Sequence, residues 1–311
     1  MTSYFFKKFA ILLVSLLVVA SLTFFLMHAI PGDPFTQEKA IPLEILQAMQ
    51  KHYGLDKPLI IQYFDYMIGL CKFDLGPSFK YQGRTVNEII QEGFPVSLCL
   101  GLEALFISLF FGIIFGALSS SKQSKWQDRS SMFIAILGLS IPSFLLATFL
   151  QYLLAMKLDL LPVARWGSIR QSILPALSLA ALPTAFISRL LRTSMIEVLH
   201  QDHILTAKSK GLSMAWILYK HVLRNALLPV ASYLGPLTAS ILTGSFAVEK
   251  IFGIPGLGQW FVLSITNRDY TVIMGTTLFY SVILMSAIFL VDLLYFWIDP
   301  RIKQTIKGGF S

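Results

Sequence analysis

The sequence has few charged residues and lacks the motifs that mark common enzymes. Asp, Glu, Lys and Arg make up 14% of the 311 residues, whereas a soluble globular protein carries about 25%. No GxxxxGK(S/T) motif occurs, and even the dipeptide Gly-Lys is absent, so the chain has no loop to cradle nucleotide phosphates. GxSxG, HExxH and any cluster of His, Cys, Asp and Glu at metal-ligand spacing are also missing. We therefore expect no catalytic residue, no metal and no cofactor.

Cysteine is also scarce, since the chain contains only Cys71 and Cys99. A disulfide between them would need closely spaced Cα atoms. A lone cysteine in an apolar run usually behaves as a small apolar side chain, so we expect two free thiols.

The chain has long apolar runs instead. Hydrophobic residues make up 55% of it, and the mean hydropathy is +0.67. About 20 apolar residues cross the hydrocarbon of a bilayer, and they form helices because lipid offers no partner to an unpaired backbone group. Six runs fit, at 9–30, 94–118, 132–156, 172–188, 226–248 and 270–291. The first is longer than the apolar core of a signal peptide, about 7–15 residues, so we expect a retained helix.

The distribution of charge orients these six helices. With the N-terminus inside, the inner segments hold 14 of the 25 Lys and Arg but only 5 of the 17 Asp and Glu. This asymmetry follows the positive-inside rule and places the C-terminus inside as well. It also accounts for the sequence pI of about 9.4 without any nucleic-acid partner. The sequence thus predicts an all-α membrane protein with six transmembrane helices.

The predicted organisation has four parts. Residues 1–30 form the N-terminal transmembrane helix, and 31–95 form an outer loop too long to be a simple connector. Residues 96–298 form a core of five transmembrane helices with an inner loop at 193–228, and 299–311 form an inner tail. The outer loop shows three helical patterns: one between Pro42 and Gly54, one after Pro58, and a short one begun by a capping box of Thr85 and Glu88. It is either a small cap or a landing surface for a partner that delivers substrate.

Few residues within the runs could act on a solute. Glu103 is the only acid deep in an apolar run, and a charge there is costly unless it faces the bundle interior or water. It is therefore a candidate lining residue of a substrate path, or else a packing residue. Gly112 and Gly116 form a small-xxx-small pattern that permits close helix packing, and prolines such as Pro142 should kink their helices.

The inner loop is basic and divided by a glycine. Residues 193–210 predict a helix that continues the fourth run, and Gly211 is a suitable helix stop. Ser213 should cap a second helix. Two helices meeting at a glycine would project from the membrane as a docking handle. The simpler interpretation is a basic loop held near anionic headgroups.

The chain as a whole resembles the permease subunits of bacterial ABC importers for oligopeptides and dipeptides, a family that includes nickel permeases. The resemblance runs from end to end. It is carried by PGDP at Pro31, YGLDKPLIIQY at Tyr53, DLGPSF at Asp74, SIPSF at Ser140, ILPALSLA at Ile173, TAKSKGL at Thr206, RNALLP at Arg224, FGIPGLGQ at Phe252, RDYTV at Arg268 and DPRIK at Asp299.

The resemblance implies that the inner loop is an EAA loop, whose coupling helix docks on an ATPase subunit. Ala207 and Gly211 match its pattern, whereas Leu205 and Thr206 replace the Glu and first Ala, and Arg224 replaces a frequent Pro. The docking contact that this implies comprises Leu205, Thr206, Ala207, Lys208, Lys210 and Gly211.

The resemblance also implies the type I ABC importer permease fold, the bacterial inner membrane and a set of partners. These are a second, similar permease, two ATPases that hydrolyse the ATP, an outer substrate-binding protein and a peptide substrate. A nickel or other small-solute importer is the alternative within this class. Outside it stand a channel or secondary carrier that needs no ATPase, and a membrane scaffold with no solute flux.

Overall fold

A computed structural model describes residues 2–30, 43–242 and 246–298 of the chain. Throughout these residues the regular structure is helical, apart from one isolated antiparallel bridge between Pro77 and Thr85. The helices are α1 (Thr2–Ala29), α2 (Leu43–His52), α3 (Leu59–Cys71), α4 (Val86–Ser121), α5 (Trp126–Ser140), α6 (Ser143–Leu150), α7 (Ile169–Leu199), α8 (Asp202–Ser209), α9 (Met214–Trp216), α10 (Arg224–Leu242), α11 (Phe246–Phe252), α12 (Leu257–Asn267) and α13 (Tyr270–Ile298). A π-helical turn at Gln151–Lys157 extends α6, and another at Ile217–Leu223 joins α9 to α10.

Four of the helices in the described residues are long and apolar enough to cross a membrane: α1, α4, α7 and α13. The run at 132–156 contains two helices, α5 and α6, which meet at a bend of 107° and would make a fifth span if they count as one. The predicted break at Pro142 lies at this bend, where Pro142 is the N-cap of α6. The run at 226–248 falls on α10, on residues 243–245, which lie outside the described residues, and on the first turn of α11. The count of six spans and the inner location of both termini therefore stay predictions.

The outer loop contains the first two predicted helices. The helix α2 ends just before Gly54, which has φ +69°, and α3 begins after Pro58. The capping box is also present, because the Thr85 N–H donates to Glu88 Oε2 at 3.0 Å and the Glu88 N–H donates to Thr85 Oγ1 at 3.2 Å. The prediction of a separate short third helix was wrong. The capping box begins the 36-residue helix α4, which continues through Pro95.

The chain divides into two compact units, to both of which α4 and α13 contribute. The first comprises Met1–Ser97 and Pro255–Met285, and the second comprises Leu98–Ile254 and Ser286–Ser311. The core of the first unit contains Val86, Ile89, Leu257 and Val272, which are fully buried. In the second unit α7 is the central helix and packs against α5, α6, α10 and α11.

The close approach predicted for Gly112 and Gly116 is present in the second unit. A Cβ built on Gly112 would lie 2.7 Å from Ile187 Cγ2, and one on Gly116 would lie 2.9 Å from the Ser188 carbonyl oxygen. Only glycine lets α4 approach α7 this closely.

The fourth predicted run, 172–188, lies within the longer, half-buried helix α7. It begins where the Ser168 N–H donates to Gln171 Oε1 at 3.0 Å.

The prediction of a single helix over 193–210 was wrong, because α7 ends at Leu199 and α8 begins at Asp202. At the break, the His200 N–H donates to the Glu197 carbonyl at 3.3 Å and the Gln201 N–H to the Val198 carbonyl at 3.1 Å. Ile204 then packs into the core with 0% exposure. Burial of one face of α8 therefore favours a turn over a straight continuation into water.

Candidate coupling site

The second unit carries a helix–turn–helix segment at 202–223 whose geometry follows from one glycine. Gly211 has φ +77°, a conformation that L side chains rarely adopt. It turns the chain back so that the Leu212 N–H donates to the Ala207 carbonyl at 3.4 Å, beyond the Gly211 N–H, which donates to the Lys208 carbonyl at 2.9 Å. Ser213 then accepts a hydrogen bond from the Trp216 N–H at 3.4 Å and caps α9. The predicted helix stop and cap are both confirmed.

One face of α8 is packed into the protein. Ile204 and Ala207 are 0% and 7% exposed and belong to a hydrophobic cluster that includes Ile217 and Val222. α8 packs against the π-helical turn at Ile217–Leu223, and this turn in turn contacts α7 and α10. Ala207, predicted as a docking residue, thus anchors α8 from its inner side. A displacement of α8 would therefore reach α7 and α10 through this turn.

The other predicted docking residues are exposed: Leu205, Thr206, Lys208, Lys210 and Gly211. Leu205 lies one position after the buried Ile204 and is 55% exposed. The adjacent turn exposes two more apolar side chains, Leu212 at 39% and Met214 at 46%. We define the coupling surface as Leu205, Thr206, Lys208, Lys210, Gly211, Leu212 and Met214. It combines apolar side chains with two cations and a backbone turn without a side chain.

Sequence reasoning missed Leu212 and Met214. Each lies within three residues of Gly211 but outside the 3.6-residue pattern of the buried positions. An apolar residue that breaks this pattern next to a helix stop is expected to be exposed, and this signal could have found both. It also missed two exposed aromatic residues further along the same segment, Trp216 and Tyr219. The Trp216 ring lies under the ammonium of Lys220, 4.9 Å from its centroid.

A buried ion pair fastens α7 to the corner between α4 and α5. Arg192 donates from Nε to Asp128 Oδ1 and from a terminal nitrogen to Oδ2, each at 2.8 Å. The same carboxylate accepts from the hydroxyl of Ser119 and, at 2.9 Å, from the N–H of Ser124. The Asp128 side chain is only 6% exposed. This two-bond geometry restrains both distance and angle, so it fixes the part of α7 that leads to α8.

Glu103, the candidate path residue, is half-buried on α4. Its Oε1 lies 3.8 Å from Cys99 Sγ. Cys99 and Cys71 are both free thiols, as expected. A role of Glu103 in a solute path stays a prediction.

In the first unit, a buried carboxylate explains two of the motifs quoted above. Asp269 of RDYTV has 0% exposure and accepts hydrogen bonds from the Ser78 hydroxyl and, at 3.2 Å, from the Phe79 N–H of DLGPSF. Thr271 donates to the Pro77 carbonyl at 2.7 Å. These contacts join segments about 190 residues apart. Both motifs therefore fasten the predicted outer loop to the start of α13.

This architecture defines a class of protein. Apolar helices of membrane length and a packed central helix make it a helical membrane protein, and the glycine-turned segment adds an exposed, partly apolar surface. Solved structures support the fold. The chain matches a methionine ABC transporter, MetNI in inward-facing conformations, with a TM-score of 0.56 and 20% identity over 68% of this chain and 96% of that one. An amino acid ABC transporter matches with a TM-score of 0.53 and 17% identity, covering 67% and 93%.

The chain belongs to the family of inner membrane components of binding-protein-dependent transport systems. Residues 108–304 match that family, and residues 1–101 match its N-terminal region. Among curated relatives, the dipeptide transport system permease protein DppB of Bacillus subtilis is 49% identical over 99% of this chain and 100% of its own length. The oligopeptide transport system permease protein OppB of Haemophilus influenzae is 42% identical over 97% and 100%. The chain is thus an inner-membrane permease subunit of an ABC importer, a class that works with ATPase and substrate-binding partners.

Proposed function

We propose that this chain forms half of the translocation pathway for dipeptides and oligopeptides. It would pair with a second, similar permease, two ATPase subunits and an outer substrate-binding protein. The names of its relatives support the peptide substrate, because two of them, a dipeptide permease and an oligopeptide permease, match over nearly all of the chain. ATP would be hydrolysed on the ATPase subunits.

The coupling role is supported by the difference between the two sides of α8, one buried and the other exposed. Its inner side, with Ile204 and Ala207, is packed into the core, whereas Leu205 is 55% exposed. An exposed apolar patch rimmed by cations is typical of a protein–protein contact. We infer that the coupling surface docks on an ATPase subunit.

The packing indicates how force would pass from this contact. When the ATPases close on ATP, they would move α8, and α8 would act on α7 and α10 through the π-helical turn at Ile217–Leu223 that contacts all three helices. For the permease to change state, ATP must bind one arrangement of the complex more tightly than the other. The coupling surface is therefore expected to affect the link between hydrolysis and transport, and not peptide binding.

Leu205 is the residue to test, because it is exposed and its replacement leaves the core intact. Cells lacking the chain would be supplied with the unmodified chain, Leu205→Arg or the matched control Leu205→Met. Uptake of a labelled dipeptide, a labelled tripeptide and labelled nickel would be measured in each. ATP hydrolysis by the purified importers, reconstituted with the binding protein, would be measured beside it.

We expect peptide uptake to be lost on deletion and restored by the unmodified chain and by Leu205→Met. Leu205→Arg should reach the membrane in normal amount but lose peptide-stimulated ATP hydrolysis and uptake together. Loss of nickel uptake alone on deletion would refute the peptide substrate. Normal transport by Leu205→Arg would refute the coupling role.

A further inference from the structure

The second unit contains a cavity that shares no lining residue with the coupling surface. It has a volume of about 440 Å³ and is lined by residues of α6, α7 and α10. This volume falls within the range of about 300–1,000 Å³ that is common for small-molecule sites. Its wall is apolar with a few polar groups, the hydroxyls of Ser143, Tyr233 and Ser240. Among the described residues that line it, none is charged.

Two helix-interior prolines, Pro183 of α7 and Pro236 of α10, line this cavity. Proline has no N–H, so neither can donate to the carbonyl four residues earlier. Those carbonyls belong to Leu179 and Ser232. Residues four apart share a helix face, so each carbonyl lies on the side of its proline. Leu179 is itself a lining residue, whereas Ser232 is not but directly precedes the lining residue Tyr233.

Carbonyls deprived of their helical donors indicate what the cavity holds. Hydrocarbon offers no donor, and such groups are tolerated at membrane depth only inside protein or beside a water-filled space. Lipid is therefore a poor occupant of this wall. The fitting occupant supplies N–H donors and is compatible with an apolar wall. The internal amide groups of a peptide main chain have these properties.

The ring of Tyr233 adds a flat apolar surface. It stacks on Phe186 with the ring centroids 4.2 Å apart and the planes at 28°. This contact orients Tyr233 beside Pro236 and Leu237, which line the cavity with it. A rigid aromatic face accepts side chains of different shape. Recognition through the main chain combined with such a face would tolerate varied peptide sequences.

We propose that this cavity is a binding site for the peptide main chain on the translocation path. The carbonyls of Leu179 and Ser232 accept N–H groups of the passing peptide, and Tyr233 packs against it. The inference rests on the proposed peptide substrate. It assigns pathway residues on α7 and α10, whereas the sequence alone pointed to Glu103 on α4.

The first test compares a tripeptide with its analogue methylated on the main-chain nitrogens, using the complete importer in proteoliposomes. Pro183→Ala and Pro236→Ala each restore an N–H that binds its carbonyl within the helix. Pro175→Ala and Pro229→Ala are matched controls on the same two helices, at positions that do not line the cavity. Discrimination by the binding protein is identical in all five importers, so differences between them report on the permease.

One hydrogen bond contributes about 0.5–1.5 kcal/mol. We therefore expect Pro183→Ala and Pro236→Ala each to reduce the discrimination against the methylated peptide by roughly 2- to 10-fold, and the two controls to leave it unchanged. Equal discrimination in all variants would overturn the proposal.

A second test keeps both prolines. In a background with Cys71 and Cys99 replaced by serine, Ser143→Cys places a thiol in the cavity wall and Ser121→Cys places a control thiol at the end of α4. Peptide supplied with binding protein and ATP should slow modification of Ser143→Cys by a small thiol reagent, and should leave Ser121→Cys unaffected. Equal rates of Ser143→Cys modification with and without peptide would overturn the proposed site. If the unmodified importer takes up no peptide, the proposed function itself is refuted.

Discussion

Replacing Arg192 with methionine should destabilise the permease through one identifiable group, the carboxylate of Asp128. The variant keeps most of the aliphatic packing but removes both hydrogen bonds that Arg192 donates at 2.8 Å. The carboxylate would keep only the Ser119 hydroxyl and the Ser124 N–H. Since its side chain is 6% exposed, water can replace the lost donors only in part.

The size of the loss follows from this burial. Removing one partner of a buried ion pair typically costs about 3–5 kcal/mol. The Arg192 side chain is 27% exposed, so part of the pair is screened and we expect the low end, about 3 kcal/mol. At about 2 °C per kcal/mol for larger domains, the melting temperature of the detergent-purified importer should fall by roughly 6 °C. Arg189→Met is the matched control, because Arg189 is exposed on the same helix, and it should change stability by no more than about 0.5 kcal/mol.

A second substitution separates the stranded charge from lost packing. Asp128→Asn added to Arg192→Met removes the uncompensated charge, so it should recover part of the lost melting temperature. Side chains in contact couple by about 0.5–3 kcal/mol. Equal melting temperatures for Arg192→Met and Arg189→Met would refute the reasoning, and so would additive losses in the double variant.

Three further substitutions test other contacts. Gly116→Ala should cost about 1–3 kcal/mol by overpacking, because its Cβ would lie 2.9 Å from the Ser188 backbone oxygen; an unchanged melting temperature would contradict the close packing. Asp269→Asn should cost about 1–3 kcal/mol by losing buried acceptors and should speed proteolysis of the outer loop, whereas Asp74→Asn, at an exposed acceptor, should not. Tyr66→Phe should be neutral or stabilising, because the Tyr66 hydroxyl is buried with no hydrogen-bond partner among the described residues. Burial raises the pKa of Tyr66 to about 12, so the unmodified chain should lose stability as the pH rises from about 10 towards 12. Tyr66→Phe should reduce that loss, and an unchanged pH dependence would show that other groups cause it.

The local features of the chain could be predicted because each depends on neighbours in the sequence. The helix stop at Gly211 and the cap at Ser213 need only a few consecutive residues. The capping box of Thr85 and Glu88 is also local, and its geometry is confirmed. Whether a helix ends at such a local pattern or continues through it depends on tertiary packing. This is why α4 continues past Pro95, and why the predicted helix at 193–210 is broken after Leu199.

The sequence by itself determined the membrane class, the family and the helix stop at Gly211, because composition, long apolar runs and motifs can all be read from the sequence. The tertiary structure decided that Ala207 faces inward while Leu205 faces outward. It also paired Asp128 with Arg192 and Asp269 with Ser78, across 64 and 191 residues. It placed Pro183 and Pro236 on one cavity. These pairings have no local signal, because they arise only when helices distant in sequence bury their faces against one another.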